Sequence, residues 1–389
     1  MCRVPAGRPR VPIVIRGTMQ PMVPRRTARG HTAGSGVFGS SLIASSGAAA
    51  LLGLTWLAVA SPVLAHAGQI APEPSYPQVL LAWSFDPTIQ VPLLLAALGW
   101  IWAVRRVDRF HPASPVPFAR TVAFLGGLAV IEVALQSPIA LYDDTLFAAH
   151  MVQHVMLTLF APPLIALGGP VTLLLRVARP DLRRRLILPV LHSRVFRAVS
   201  HPVVAWVLFA GTMWATHFSP IFEQALQDDL VHDLEHVAYL VTGMLFWWPA
   251  VGLDPSPWRI PHPLRVLYVF LQMPQNTFLA LAIYSASAPL YPTYANMQRG
   301  WGPSPLADQQ LAGGLMWVIG DLTFLVGILA LVVAWMRADE RAGARHDARL
   351  DAERAEIHAR ELRLAERLAR ESPSGWRGGG PPPTSEHKK

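Results

Sequence analysis

Hydrophobic positions along this chain gather into long unbroken runs rather than the short alternations of a soluble amphipathic protein. Apolar stretches at 87–104, 119–140, 147–170, 202–219, 231–251, 264–286 and 311–336 each approach the ~20 residues a helix needs to cross the hydrocarbon core. The pattern predicts an all-α fold, a polytopic membrane helix bundle of about seven transmembrane helices. An earlier apolar run, Ile43 to Leu64, follows a basic stretch rich in Pro, Gly and Ser and ends in Ala65-His66-Ala67. That arrangement reads as a signal peptide with a small-x-small cleavage site after Ala67, with Met19 or Met22 as alternative starts; an uncleaved first helix is the competing reading.

Beyond the last apolar run, Arg337 to Glu371 alternates Arg, Glu, Asp and Ala, with Leu350, Ile357 and Leu364 at heptad spacing. This predicts a solvated or membrane-surface helix. The Gly/Pro run and lysines after it predict disorder. The expected organisation is therefore 1–67 as basic N-terminus and signal peptide, 68–337 as transmembrane domain, 338–371 as charged cytosolic helix and 372–389 as disordered tail.

Composition agrees with lipid as the main solvent: the chain is 52% hydrophobic and 15% charged. The net charge of +8 does not mark a nucleic-acid partner, because the arginines concentrate in loops and tails. Arg105, Arg106, Arg109 and Arg120 flank one loop, and Arg176, Arg179, Arg183, Arg184, Arg185, Arg194 and Arg197 fill another. By the positive-inside rule these loops face the cytoplasm, which puts the N-terminus outside after signal cleavage and the C-terminus in the cytoplasm. The only cysteine is Cys2, so a bound metal has to be held by His, Met, carboxylate or amide groups.

Histidines carry the chemistry. His150 and His154 open the third apolar stretch, and His232 and His236 the fifth, each pair on one helix face by its spacing of four. His217 ends the fourth stretch, with Met213 one turn below it. Five imidazoles from three consecutive helices thus share one depth, within ~10 Å of the outer surface. Neutral imidazole ligates copper, zinc and iron, and the Met213–His217 pair adds a soft thioether that favours copper. Glu132, Asp233 and Glu235 are positioned to orient imidazoles or handle protons, as is Asp321 in the last stretch. The bland readings are that each histidine is a hydrogen-bonded boundary residue, and that the intramembrane acids only tie helices together.

Several motifs in order resemble one family: His150-Met-Val-Gln-His154 followed by Ala161-Pro-Pro-Leu and Gly169-Pro170, then His232-Asp233-Leu-Glu235-His236, Phe246-Trp-Trp-Pro249, Ala288-Pro-Leu-Tyr-Pro-Thr-Tyr294, and Asp308-Gln-Gln-Leu-Ala-Gly313 with Met316-Trp317. Over about 85–337 the chain resembles the caa3-type CtaG family of cytochrome c oxidase assembly factors. The resemblance implies a bacterial plasma-membrane protein of seven helices that helps mature a haem-copper oxidase, with oxidase subunits and the lipid bilayer as partners. An unrelated assembly factor of the same name delivers copper through Cys-x-Cys, a motif absent here. The expected function is copper binding at the outward-facing histidines and delivery to the oxidase, with no catalysis assigned. His154 and His236 lead the expected ligands, ahead of His150, His232 and His217. The alternatives are a haem-binding electron-transfer protein, a copper or proton transporter using Glu132 and Asp321, and a scaffold.

Overall fold

Leu, Ala and Val dominate the apolar stretches, and a backbone in hydrocarbon has to satisfy its own polar groups, so these stretches close as helices. The computed structural model describes residues 70–371; the expected signal peptide and C-terminal tail lie outside the described residues. Among the described residues every regular element is helical. The principal elements are α1 (Pro87–Phe110), α2 (Phe118–Gln136), α3 (Phe147–Val155, extended by Met156–Phe160 and Ala161–Gly168), α4 (Pro170–Val177), α5 (Pro202–His217), α6 (Asp229–Val251), α7 (His262–Phe270), α8 (Gln272–Tyr284) and α9 (Pro305–Glu371).

Five helical stretches among the described residues are long and apolar enough to cross a membrane: Pro87–Phe110, Phe118–Tyr142, Phe147–Val177, His262–Tyr284 and Pro305–Glu371. The count of seven is not confirmed. Helix α5 has 16 residues, about 24 Å of rise against a hydrocarbon core of about 30 Å. The first two turns of α6 carry Asp229, Asp233 and Glu235. Helix α9 continues without a break from its apolar half into its charged half, and every residue from Arg341 to Glu371 is exposed.

Helix α3 is the element the others grip. It packs against α2, α6 and α9. Its N-terminus has no capping side chain of its own, since Leu146 occupies that position. The free amides of Phe147 and Ala148 donate instead to Asp308 of α9, at 2.9 and 3.2 Å. Arg299 holds the same carboxylate at 3.4 Å, both side chains being almost fully buried. The donors, the buried cation and the partial positive charge of a helix start all favour a carboxylate there.

The middle of α3 widens into a π-helical turn at Met156–Phe160, where the Ala161 N–H reaches back to the Met156 carbonyl. Pro162 and Pro163 follow at once. Lacking amide hydrogens, they leave the carbonyls of Thr158 and Leu159 without α-helical donors, and their rings crowd the preceding turn. The neighbours approach this stretch over glycine: a Cβ on Gly243 of α6 would lie 2.8 Å from both the Thr158 carbonyl and Pro162, and one on Gly127 of α2 would lie 2.6 Å from Ile165. Gly169 adopts φ 72° and turns the chain into α4, whose first amides donate to Asp254 at 3.0 Å from Val171 and 2.7 Å from Thr172. The expected interruptions at the two prolines and at Gly168-Gly169-Pro170 therefore take the form of a π turn and a left-handed residue.

Three substitutions test this frame by thermal denaturation of the purified protein. Gly243→Val should lower stability by about 1–3 kcal/mol through overpacking, whereas Gly211→Ala, where an added Cβ meets open space, should leave the midpoint unchanged or higher. Asp308→Ala should cost about 2 kcal/mol or more, because it uncaps α3 and strands the buried Arg299 charge.

Candidate metal centre

Each histidine pair arrives on a helix whose start is fixed by a carboxylate. The Asp308 cap sets the first turns of α3, which carry His150 and His154. Asp228 accepts from Leu230 and Val231 N–H at 2.9 and 3.2 Å and so sets the first turns of α6, which carry His232 and His236. The spacing of four then stacks each pair on a common face.

The faces meet. The rings of His150 and His154 lie 4.2 Å apart, those of His232 and His236 4.2 Å, and across the helices His150 stacks on His232 at 4.9 Å while His154 meets His236 at 5.5 Å. Histidines 150, 154 and 232 each present a ring nitrogen such that the three atoms lie within 4.8 Å of one another. His150 and His154 are buried, while His232 lies at the half-buried edge.

The state of these nitrogens follows from their partners. Tyr294 donates its hydroxyl to the Asp143 carbonyl at 2.6 Å, so its oxygen is left to accept from His150 Nδ1 at 3.1 Å. The Tyr294 phenol is held well above its ordinary pKa, first by burial and then by the nearby Asp143 charge, so it stays neutral. His150 Nε2 therefore carries a lone pair, and it has no hydrogen-bond partner among the described residues. His232 Nε2 and both ring nitrogens of His154 also lack a hydrogen-bond partner among the described residues, and in neutral His154 one of the two nitrogens carries the lone pair. His236 is committed differently: Gln153 donates its amide to the Ala134 carbonyl and accepts from His236 Nε2 at 3.1 Å, which turns the free lone pair of His236 to Nδ1.

Glu235 belongs to the group. Its Oε1 accepts from Tyr239 at 2.8 Å, while Oε2 lies 4.0 Å from His154 Nε2 and has no hydrogen-bond partner among the described residues. Buried acceptors left without donors cost free energy, of order 1–3 kcal/mol each. A cation shared among three imidazole nitrogens and a carboxylate oxygen would satisfy four of them at once, with the donor set suited to a first-row transition metal.

The other expected residues fall elsewhere. His217 stands one layer away, with its Nε2 3.4 Å from Met151 Sδ and its Nδ1 2.7 Å from the Met213 carbonyl. Asp233 is exposed on α6. Glu132 accepts from Gln90 between α2 and α1. Asp321 accepts from Asn276 at 3.1 Å and Thr277 at 2.6 Å, clamping α9 to α8. For these two acids the geometry is that of helix ties.

The sequence reading missed the roles of Tyr294, Gln153 and Asp308. Tyr294 and Asp308 lie in motifs noted for their resemblance alone, and Gln153 sits between the two histidines of the first motif. A buried amide or phenol beside a ligand pair is the signal that would have found them.

Comparison with known proteins gives a consistent picture. The family model described as cytochrome c oxidase caa3 assembly factor matches residues 98–338. Uncharacterized proteins of Mycobacterium bovis and Mycobacterium tuberculosis are each 34% identical over 290 residues, 73% of this chain and 44% of theirs. One of Mycobacterium leprae is 30% identical over 286 residues, 72% of this chain and 43% of its own. The chain thus spans less than half the length of the curated relatives it matches. No solved structure gives a significant match. The match covers both histidine pairs, the π turn, the Tyr294 loop and the start of α9, and the chain belongs to the caa3-type CtaG family of cytochrome c oxidase assembly factors.

Proposed function

We propose that this protein serves the maturation of a haem-copper cytochrome c oxidase by holding copper as cargo at the α3–α6 imidazole cluster and passing it by ligand exchange to an oxidase subunit docked alongside. The observation that carries the reading is that His150, His154 and His232 each bring a ring nitrogen within 4.8 Å of the others, and that each of the three has a buried ring nitrogen with no hydrogen-bond partner among the described residues. The partners of His150 give a second line of support. A metal-binding imidazole characteristically donates its other N–H to a neighbouring acceptor, which fixes the tautomer and the ring.

The proposal places the cluster at the extracytoplasmic end of seven crossings in a bacterial plasma membrane, with α5 and α6 spanning despite their short or charged ends. Arg105, Arg106 and Arg109 at the end of α1, and the arginines between α4 and α5, then face the cytoplasm with the charged end of α9. The role asks for no covalent chemistry on a substrate.

An ion fits this arrangement better than haem. Two axial imidazoles stand on opposite faces of a macrocycle, whereas the His150 and His232 rings stack at 4.9 Å with no slab between them. The paired states of Glu132 and Asp321 likewise favour a holding site over a transport path through those acids.

The test is metal content. The full chain purified under reducing, copper-replete conditions should carry copper, and a His150→Ala/His154→Ala variant should lose the part held by imidazole. An optical spectrum of the same preparation should lack a Soret band. Copper equal in the wild type and the double variant, or a Soret band lost in that variant, would overturn the reading.

A further inference from the structure

A separate cavity lies one layer deeper than the four clustered imidazoles. Its walls include Met151, Met213, Met316, His217 and Gln272, and its free space is about 30 Å³. That is room for a bare ion or a water or two. His154 lines it as well and stands between the two layers.

The chemistry of its walls differs from that of the imidazole cluster. His217 Nδ1 lies 2.7 Å from the Met213 carbonyl, which can only accept, so Nδ1 carries the proton. Nε2 is then an electron-pair donor, and it faces another one, Met151 Sδ, at 3.4 Å. No proton lies between them. Two lone-pair atoms aimed at each other gain nothing as a hydrogen bond, but their spacing suits a shared ion. With about 2.0 Å to nitrogen and about 2.3 Å to sulfur, a 3.4 Å separation subtends roughly 105°, close to tetrahedral. Met213 and Met316 bring two more thioethers to the same walls, and all three methionines and His217 are buried. An independent sign of a missing ligand is Gln272 Oε1, on a side chain only 1% exposed that lines the cavity, which has no hydrogen-bond partner among the described residues.

Methionine in a core is ordinarily a filler of irregular space. That role explains the apolar contacts, but not an unprotonated imidazole nitrogen pointed at a sulfur. Thioether with imidazole is a donor set that selects soft monovalent ions over divalent ones.

We infer that this cavity is a second metal site, selective for a soft monovalent cation of the Cu(I) class, built from His217 Nε2 and Met151 Sδ with Met213 and Met316 as further thioether donors. The inference rests on the copper reading for the identity of the cargo, but on different residues. The imidazole cluster accepts divalent or monovalent metal, the sulfur-lined cavity holds the reduced ion, and His154 borders both.

The full-length protein in detergent, titrated anaerobically with Cu(I) against a chromogenic Cu(I) chelator, should bind two equivalents, and X-ray absorption should show a sulfur shell beside the nitrogen shell. A Met151→Leu/Met213→Leu/Met316→Leu variant conserves volume and apolarity. It should lose one equivalent and the sulfur shell while binding Zn(II) at the imidazole cluster as the wild type does. His150→Ala/His232→Ala should lose the other equivalent and keep the sulfur shell. A wild-type spectrum with nitrogen scattering alone overturns the sulfur site and leaves the imidazole reading standing, and that measurement needs no variant. Cu(I) held through sulfur but indifferent to His150→Ala/His232→Ala supports the sulfur site and removes the imidazole cluster from the copper reading. A wild type that binds no Cu(I) overturns both.

Discussion

A lone pair buried with no donor to meet it is the constraint around which this end of the bundle is organised. In water an imidazole nitrogen loses nothing by lacking a protein partner, but between packed helices it forfeits its hydration. Here the deprivation is repeated on His150, His154 and His232 and on a Glu235 oxygen, while the groups around them are well paired. Tyr294 donates to the Asp143 carbonyl, Gln153 to the Ala134 carbonyl, and His217 to the Met213 carbonyl. Each of these bonds consumes a proton that would otherwise be free to quench a ring nitrogen. The paired groups and the unpaired ones are thus two sides of one arrangement, in which main-chain carbonyls fix side-chain tautomers and leave the opposite atoms bare.

Holding such an arrangement requires α3 to be stiff in its position, and the means are spread along the chain. Its start is capped by a carboxylate from α9, its middle is widened by paired prolines, and glycines on two neighbours let those helices approach. The π turn begins two residues after His154, and the Thr158 hydroxyl returns to the His154 carbonyl at 2.5 Å. Local over-widening commonly accompanies functional groups in helices because it rotates the residues before it relative to those after it. In α3 the turns before it pack on α9 and set their imidazoles against those of α6, while the Ala161–Gly168 segment after it packs on both α2 and α6.

Much of this was legible in the sequence wherever the information is local. Runs of apolar residues predict the helices, and a spacing of four predicts that each histidine pair shares a face. Residues distant along the chain defeat that logic. Nothing near Phe147 announces that its cap is Asp308, and nothing near His150 announces Tyr294. Asp233 and Glu235 read alike from the sequence, as acids of one boundary region. His232, Glu235, His236 and Tyr239 follow the three-and-four step of one helical face, whereas Asp233 is exposed. For α5 and α6, hydropathy marked spans that length and terminal charge leave short of a clear crossing. Depth places His217 with the other histidines and spacing places it with Met213, yet the sulfur its Nε2 faces belongs to Met151 of another helix, which neither depth nor spacing reveals.

The gradient in burial across the cluster gives the site a direction. His150 and His154 on α3 are sealed, at 0% and 4% exposure, whereas His232 and His236 on α6 are only partly covered. An ion held by all of these would therefore have its α3 side closed by protein and its α6 side open to an incoming ligand. Exchange between two proteins proceeds most easily when a new donor enters before the last old one leaves, since a bare ion in a low-dielectric site is costly. Under the proposed role, the partly covered imidazoles would be the ones a docking partner reaches first, and the sealed pair with Glu235 would keep the ion from leaving early. On the proposed copper role, α6, rather than the more deeply fixed α3, would be the face that an oxidase subunit meets.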